Sequence, residues 1–226
     1  MVAFAKIEQA ALKRLGAKEL AARIKERIPP VKSAAALRKV GDDRYLSLMA
    51  LRIFRAGLKH EMVDAKWPAF ETAFHKFDPR RVRAMSDEAV EALMKNAKLI
   101  RHLGKLKAVH ANAAAMLDLE AETKSGFGVY LADWPGSDIV GLWDDLAKRF
   151  QHLGGGSGPQ FLRMAGKDTF TLSDWVVKAL NEWGAFKGTP KGKADRAKVQ
   201  ALFNGWAEES GKPLAHLSMT LAASVD

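Results

Sequence analysis

The chain has no cysteine among its 226 residues, which excludes disulfides, thiolate zinc sites and cysteine-held iron–sulfur clusters. It also lacks an uninterrupted apolar run of membrane-spanning length. The N-terminus, MVAFAKIEQAALKRLG, mixes charge with apolar residues at helical spacing, so it does not read as a cleavable signal. These absences leave ordinary side chains for any chemistry and predict a cytoplasmic protein. What the chain has in excess is positive charge: 36 Lys and Arg against 26 Asp and Glu, a formal net charge of +10 and a pI near 9.8. Such a surplus favours a polyanionic partner through counterion release.

An apolar content of 48% is enough for one compact domain or two lobes, burying roughly 70% of the unfolded surface. Apolar residues recur with helical period almost throughout, and breakers fall between the periodic segments, so the pattern predicts an all-α fold. Helices are expected over about 5–27, 42–59, 67–75, 86–95, 101–122, 138–151, 159–165, from Asp174 onward, 194–210 and 213–223. Asp78-Pro79 should open a further short one. Gly126 and Gly128 read as punctuation, and the segment KGTPKGKA from Lys187 is the one linker-like piece.

The segment LGGGSGPQFLRMAGKDTFTLSDWVVK, from Leu153, places four glycines in five positions, followed by a single carboxylate before an apolar helix. Gly154, Gly155, Gly156 and Gly158 are costly inside a helix; in a turn they permit positive φ and close approach of the backbone to another molecule. At the start of a helix such a turn presents bare N–H groups to a phosphate. This arrangement resembles the helix-hairpin-helix plus Gly/Pro and aspartate signature of the DNA glycosylase superfamily, with Asp174 where that family carries its catalytic aspartate. The resemblance narrows in the middle of the chain. The stretch WPAFETAFHKFDP from Trp67, then Met85 with Val90-Glu91, then IRHLGKLKAVHANA from Ile100, is similar to the FxxFDP, MxxxxVExL and IRHxGKxxAxxxNA elements of the DNA-3-methyladenine glycosylase I (Tag) family. It implies a two-lobed helical domain over 1–226, with lobes of about 1–45 plus 165–226, and 46–164.

The chain departs from that family in three respects. The family typically has a glutamate six residues before the last residue of its Ala-Gly-Leu element and a tryptophan two after it. Here Ala56-Gly57-Leu58 is accompanied by Arg52 and His60 at those places. The zinc-binding Cys and His residues of many members are also missing. The resemblance therefore implies the scaffold and leaves the identity of the base open.

For Asp174 the resemblance implies electrostatic support of the oxocarbenium-like sugar cation that forms as an N-glycosidic bond breaks; the plainer reading is an N-cap, shared with Ser173. Residues Gly154, Gly155, Gly156, Ser157 and Gly158 would grip a phosphate without reading sequence, or form a flexible spacer. Pro159 leading a helix with Phe161, Leu162 and Met164 favours the fixed hairpin. No lysine lies between His152 and Leu162 to serve as a Schiff-base nucleophile, which implies a monofunctional enzyme. Tyr45, Trp67, Phe127, Tyr130, Trp134 and Trp175 are candidates to stack an extruded base. Trp175 leads them, and most of the others suit the core equally.

Arg52 and Arg55 share a helix face; they are either solvated or line a base pocket with His60, where they would favour a base bearing acceptor groups. Lys187, Lys191 and Lys193, continued by Arg196 and Lys198, form a solvated run or a phosphate contact. His102, His110, His152 and His216 lack the spacing of a metal site, so neither metal nor cofactor is expected. The implied protein is a monomeric glycosylase acting on double-stranded DNA that carries a damaged or modified base, in the cytoplasm at a bacterial nucleoid and without a membrane partner. The alternatives are a catalytically silent DNA-binding module on the same scaffold and a phosphate-binding helical adaptor.

Overall fold

In the computed structural model, which describes residues 2–226, the first helical stretch of the sequence breaks in two. Gly16 adopts φ 80° and ends α1 (Phe4–Leu15), so that α2 (Ala17–Arg27) leaves in a new direction; only glycine takes that backbone cheaply. A short helix unforeseen from the sequence, α3 (Ala34–Arg38), is capped by Ser33, whose hydroxyl accepts from the Ala36 amide. Next come α4 (Asp42–Arg55) and α5 (His60–Ala73). The second starts seven residues earlier than periodicity suggested and runs through Pro68.

Local capping chemistry sets the next boundaries. The Asp78 carboxylate accepts from the Arg80 and Arg81 amides, with Pro79 at the first position of α6 (Pro79–Arg83). The Ser86 hydroxyl caps α7 (Asp87–Ala92). Long α8 (Leu103–Thr123) is capped by the His102 ring. After Gly126 comes α9 (Phe127–Asp133), the second unforeseen helix. Gly128 lies inside α9 because a Cβ there would stand 2.6 Å from the Leu37 carbonyl oxygen and 3.2 Å from the Tyr45 ring. Its role is close packing, which corrects its reading as punctuation. The chain continues through α10 (Ile139–Arg149), α11 (Ser157–Ala165), α12 (Asp174–Glu182), α13 (Lys193–Ser210) and α14 (Leu214–Ala223). Every α-helical or 3-10 element aside, no strand occurs among the described residues.

The chain divides into two compact units. One comprises residues 1–32, 135–142 and 162–226. Its core stacks Phe170 on Phe203 at 4.2 Å and sets Trp206 against both Phe203 and Phe4. Helix ends are tied by carboxylates: Glu209 accepts from the Phe4 and Ala5 amides, and Asp168 from the Leu214 and Ala215 amides. Arg163 is partly buried near Asp168 and donates to Ser218 and to the Thr169 and Ala215 carbonyls. Burial lowers its pKa to about 10.

The other unit comprises residues 33–134 and 143–161. Phe54, Phe70, Phe74 and Phe77 are wholly buried there, each contributing about 1.5–3 kcal/mol by leaving water. A second aromatic cluster joins Tyr45, Phe127, Phe150 and Phe161.

Candidate functional site

The glycine turn is held from beneath by one buried side chain. Asn112 on α8 is 1% exposed. Its amide nitrogen donates to the Gln151 carbonyl at 3.1 Å, and its amide oxygen accepts from the Gln151 N–H at 2.7 Å. Leu153 is fully buried one step later. At the end of α10, Arg149 binds Glu122 with both terminal nitrogens, at 2.7 and 2.9 Å, and Asp145 with Nε at 2.8 Å; Asp145 also accepts from the Tyr130 hydroxyl. The guanidinium pKa is raised, first by the Glu122 hydrogen bond, while burial and then Asp145 push the Tyr130 phenol up. Anchored by these contacts on its N-terminal side and leading directly into α11, the segment from Gly154 to Ser157 forms a defined bend, which favours the hairpin over the spacer.

Within that bend the glycines do different things. Gly155 alone takes positive φ, at 58°. Gly158 sits inside α11, where a Cβ would meet the Leu153 carbonyl oxygen at 2.8 Å, so its place in a helix corrects the expectation that all four glycines belong to the turn. The turn closes with Ser157 N–H donating to the Gly154 carbonyl and Gln160 N–H to that of Gly156. The amides of Gly154, Gly155 and Gly156 are exposed and donate to nothing among the described residues.

Asp174 is the first residue of α12 and is exposed. The cap belongs to Ser173, whose hydroxyl accepts from the Val176 amide. The Asp174 carboxylate makes no hydrogen bond or ion pair among the described residues, and the plainer N-cap reading falls to Ser173 alone.

Among the aromatic candidates the structure separates core from surface. Tyr45 is wholly buried and donates its hydroxyl to the Leu37 carbonyl at 2.8 Å, with burial raising its pKa to about 12. Trp67 lies between Phe70 at 5.0 Å and Phe77 at 5.4 Å, nearly parallel to both, and donates its indole N–H to Ser47. Buried Tyr45 and Phe127 are core residues, which corrects their place among the expected base platforms, whereas Trp67 is partly buried. Trp175 is 54% exposed. The Lys178 ammonium lies 5.3 Å from its ring centroid.

On α4, Arg55 is bidentate to Asp64, whereas Arg52 is half-buried with its Nε sealed from solvent and unpartnered. Burial, then the Arg55 charge, lowers the Arg52 pKa, which sets aside the solvated reading for this residue. Lys105 closes α4 by donating to the Phe54 and Ala56 carbonyls, its own pKa lowered by burial and then by Arg52. His60 is exposed at the start of α5. Lys187, Lys191 and Lys193 are all exposed, Lys193 as the first residue of α13.

The sequence reading missed two features. Asn112 and Lys105 were visible inside the IRHLGKLKAVHANA string, but their partners were not. Arg14, Arg23 and Arg27 also escaped notice; they surround one cavity with Trp175. No helix of the described residues is long and apolar enough to cross a membrane.

Residues 36–148, half of the chain, match the methyladenine glycosylase family. DNA-3-methyladenine glycosylase 1 of Escherichia coli (strain K12) is 39% identical over 77 residues, 34% of this chain and 41% of that protein; the chain thus spans well under half the length of that relative. A crystal structure of 3-methyladenine DNA glycosylase I (TAG) aligns with a TM-score of 0.51 and 26% identity, over 65% of this chain and 87% of that one. The Methanocaldococcus jannaschii 8-oxoguanine DNA glycosylase aligns with a TM-score of 0.54 over 95% of this chain and 89% of its own. At 15% identity that likeness is one of fold alone.

Proposed function

Because the chain belongs to the methyladenine glycosylase family, we propose that it is a monofunctional DNA glycosylase that excises a damaged or modified base from double-stranded DNA after extruding it. The observation that carries this reading is the pair of prepared elements: a clamped bend with three free, exposed amides, and an unengaged carboxylate on the first turn of α12. The amides take a backbone phosphate, which fixes the strand without reading its sequence. The Asp174 carboxylate offsets the positive charge that develops on the sugar as the bond to the base breaks. The base leaves with the bonding electron pair and acquires a proton. A water oxygen bonds to the anomeric carbon and releases its proton, leaving an abasic site.

No lysine stands in the bend to attack the sugar as an amine, which supports excision without strand cleavage. The lobes are read as one catalytic domain, working as a monomer. Asp174→Asn removes the charge and keeps the shape, so excision should fall by at least 100-fold, the order expected for a lost charge stabiliser. DNA affinity should stay within about twofold. Undiminished excision by this variant in a single-turnover assay refutes the role of Asp174.

A second reading, a silent module that binds DNA without excising a base, is favoured by one observation. Arg52 stands where the Tag family has a glutamate, and the charges that act on it, from Arg55 and Lys105, are also positive. A cationic methylated purine would meet like charge there. Incubation with randomly alkylated and otherwise modified DNA, followed by mass spectrometry of released bases, separates the two: any free base decides for the enzyme, and tight binding without release for the module.

A further inference from the structure

A cavity of about 250 Å³ opens in the unit that carries Asp174, where α1, α2, α12 and α14 meet. Its floor is apolar, from Met219 and Ala222; its wall is Trp175; Arg14, Arg23 and Arg27 surround it. Trp175 is more exposed than any other large apolar side chain of the described residues. Helix α12 does not need the indole for its own packing, since Val176, Ala179 and Leu180 already fill its buried face. The exposed indole therefore stands at the edge of a basic cavity, with the Lys178 ammonium 5.3 Å from its ring centroid.

The cations are arranged to be available. Arg14 pairs with Asp226 and Arg23 with Glu19, but both carboxylates are at least half exposed. Such pairs contribute little and exchange readily for a phosphate. Arg27 has no hydrogen bond or ion pair among the described residues. Guanidinium groups bind phosphate oxygens bidentately, and an aromatic face beside them takes a flat ring. At about 250 Å³ the cavity lies just below the roughly 300–1,000 Å³ of pockets that take drug-sized ligands, so it holds no more than one nucleotide, and that one partly open to solvent. Bases stacked in a duplex have no free face to offer.

We propose that this cavity holds an unpaired nucleotide of the DNA strand, its base against Trp175 and its phosphate among Arg14, Arg23 and Arg27, one residue along the chain from Asp174. The proposal rests on the glycosylase reading for the identity of the polymer. It adds a strand contact outside the glycine bend and unconnected with the α4 arginines. An extruded or flanking nucleotide seated here would hold its strand beside the start of α12.

The test is fluorescence anisotropy with a labelled thymidine tetranucleotide at several salt concentrations. Trp175→Ala should weaken binding roughly tenfold, the usual loss of one stacked base, and Trp175→Phe should restore most of it. Arg27→Ala should lower the slope of log affinity against log salt by about 0.7, one phosphate contact on a single strand. Both side chains are exposed, so melting temperatures should match the unaltered protein. If Trp175→Ala and Arg27→Ala bind like the parent, or the parent binds no tetranucleotide, the cavity is not a nucleotide site. Excision is scored in parallel. Loss of tetranucleotide binding in the variants of a parent that releases no base sinks the enzyme reading and keeps the cavity; normal excision with unaltered binding in both variants does the reverse.

Discussion

Two glycine-bearing segments of this chain are held by the same device with different results. In each, one asparagine side chain brackets a peptide unit, donating to its carbonyl and accepting from its N–H: Asn112 on Gln151, and Asn181 on Gly188. Asn112 is buried and reaches across 39 residues of sequence, and its clamp is followed by buried Leu153. Asn181 is exposed and reaches only seven residues along its own loop. The first clamp ties the bend to the core and gives the free amides a defined place. The second ties a stem, leaving Lys187 and Lys191 as solvated charges. A buried, long-range amide gives a surface defined shape, while a local one leaves a surface with charge alone.

That contrast can be broken most forcefully at Asn112. Asn112→Ala should cost about 2 kcal/mol of stability, because a buried side-chain amide and the peptide it serves lose each other. DNA affinity should drop with it, as measured by denaturant titration and mobility shift. An unchanged melting curve would mean that the bend is held by Leu153 alone. Gly156→Asp comes next. A Cβ there meets nothing within 4 Å, so the fold should be kept while a carboxylate among the free amides lowers affinity for all DNA on the order of tenfold. The smallest effect belongs to Asn181→Ala, about 0.5 kcal/mol or less, with the salt dependence of DNA binding unaltered. Equal losses from the two asparagine variants would erase the distinction between the segments.

Much of the scaffold could be read from the sequence because caps are local. Asp78-Pro79, Ser86 and Ser173 each announced a helix start within three residues of the bond that makes it. Gly16 falls inside the 5–27 stretch that periodicity reads as one helix, and α3 and α9 are too short to show a period. The candidate site divides along the same line. Asp174 and the bend were legible as a string. The placing of Tyr45 and Phe127 in the core was not, since it depends on which elements cover them. Nor was the meeting of Arg14, Arg23 and Arg27 around Trp175, which requires separate helices to converge.

Helix α8 unites most of what made the chain recognisable. Its His102 ring caps its own start, its Lys105 ammonium draws in the last carbonyls of α4, and its Asn112 grips the bend before α11. The helix is a keel to which separate ribs are fastened at measured intervals, and the IRHLGKLKAVHANA string is the record of those fastenings. Kinship read from that string certifies the hull and carries no news of the cargo. A chain built this way can depart from its relatives elsewhere, as at Arg52 and His60, and still be known at sight.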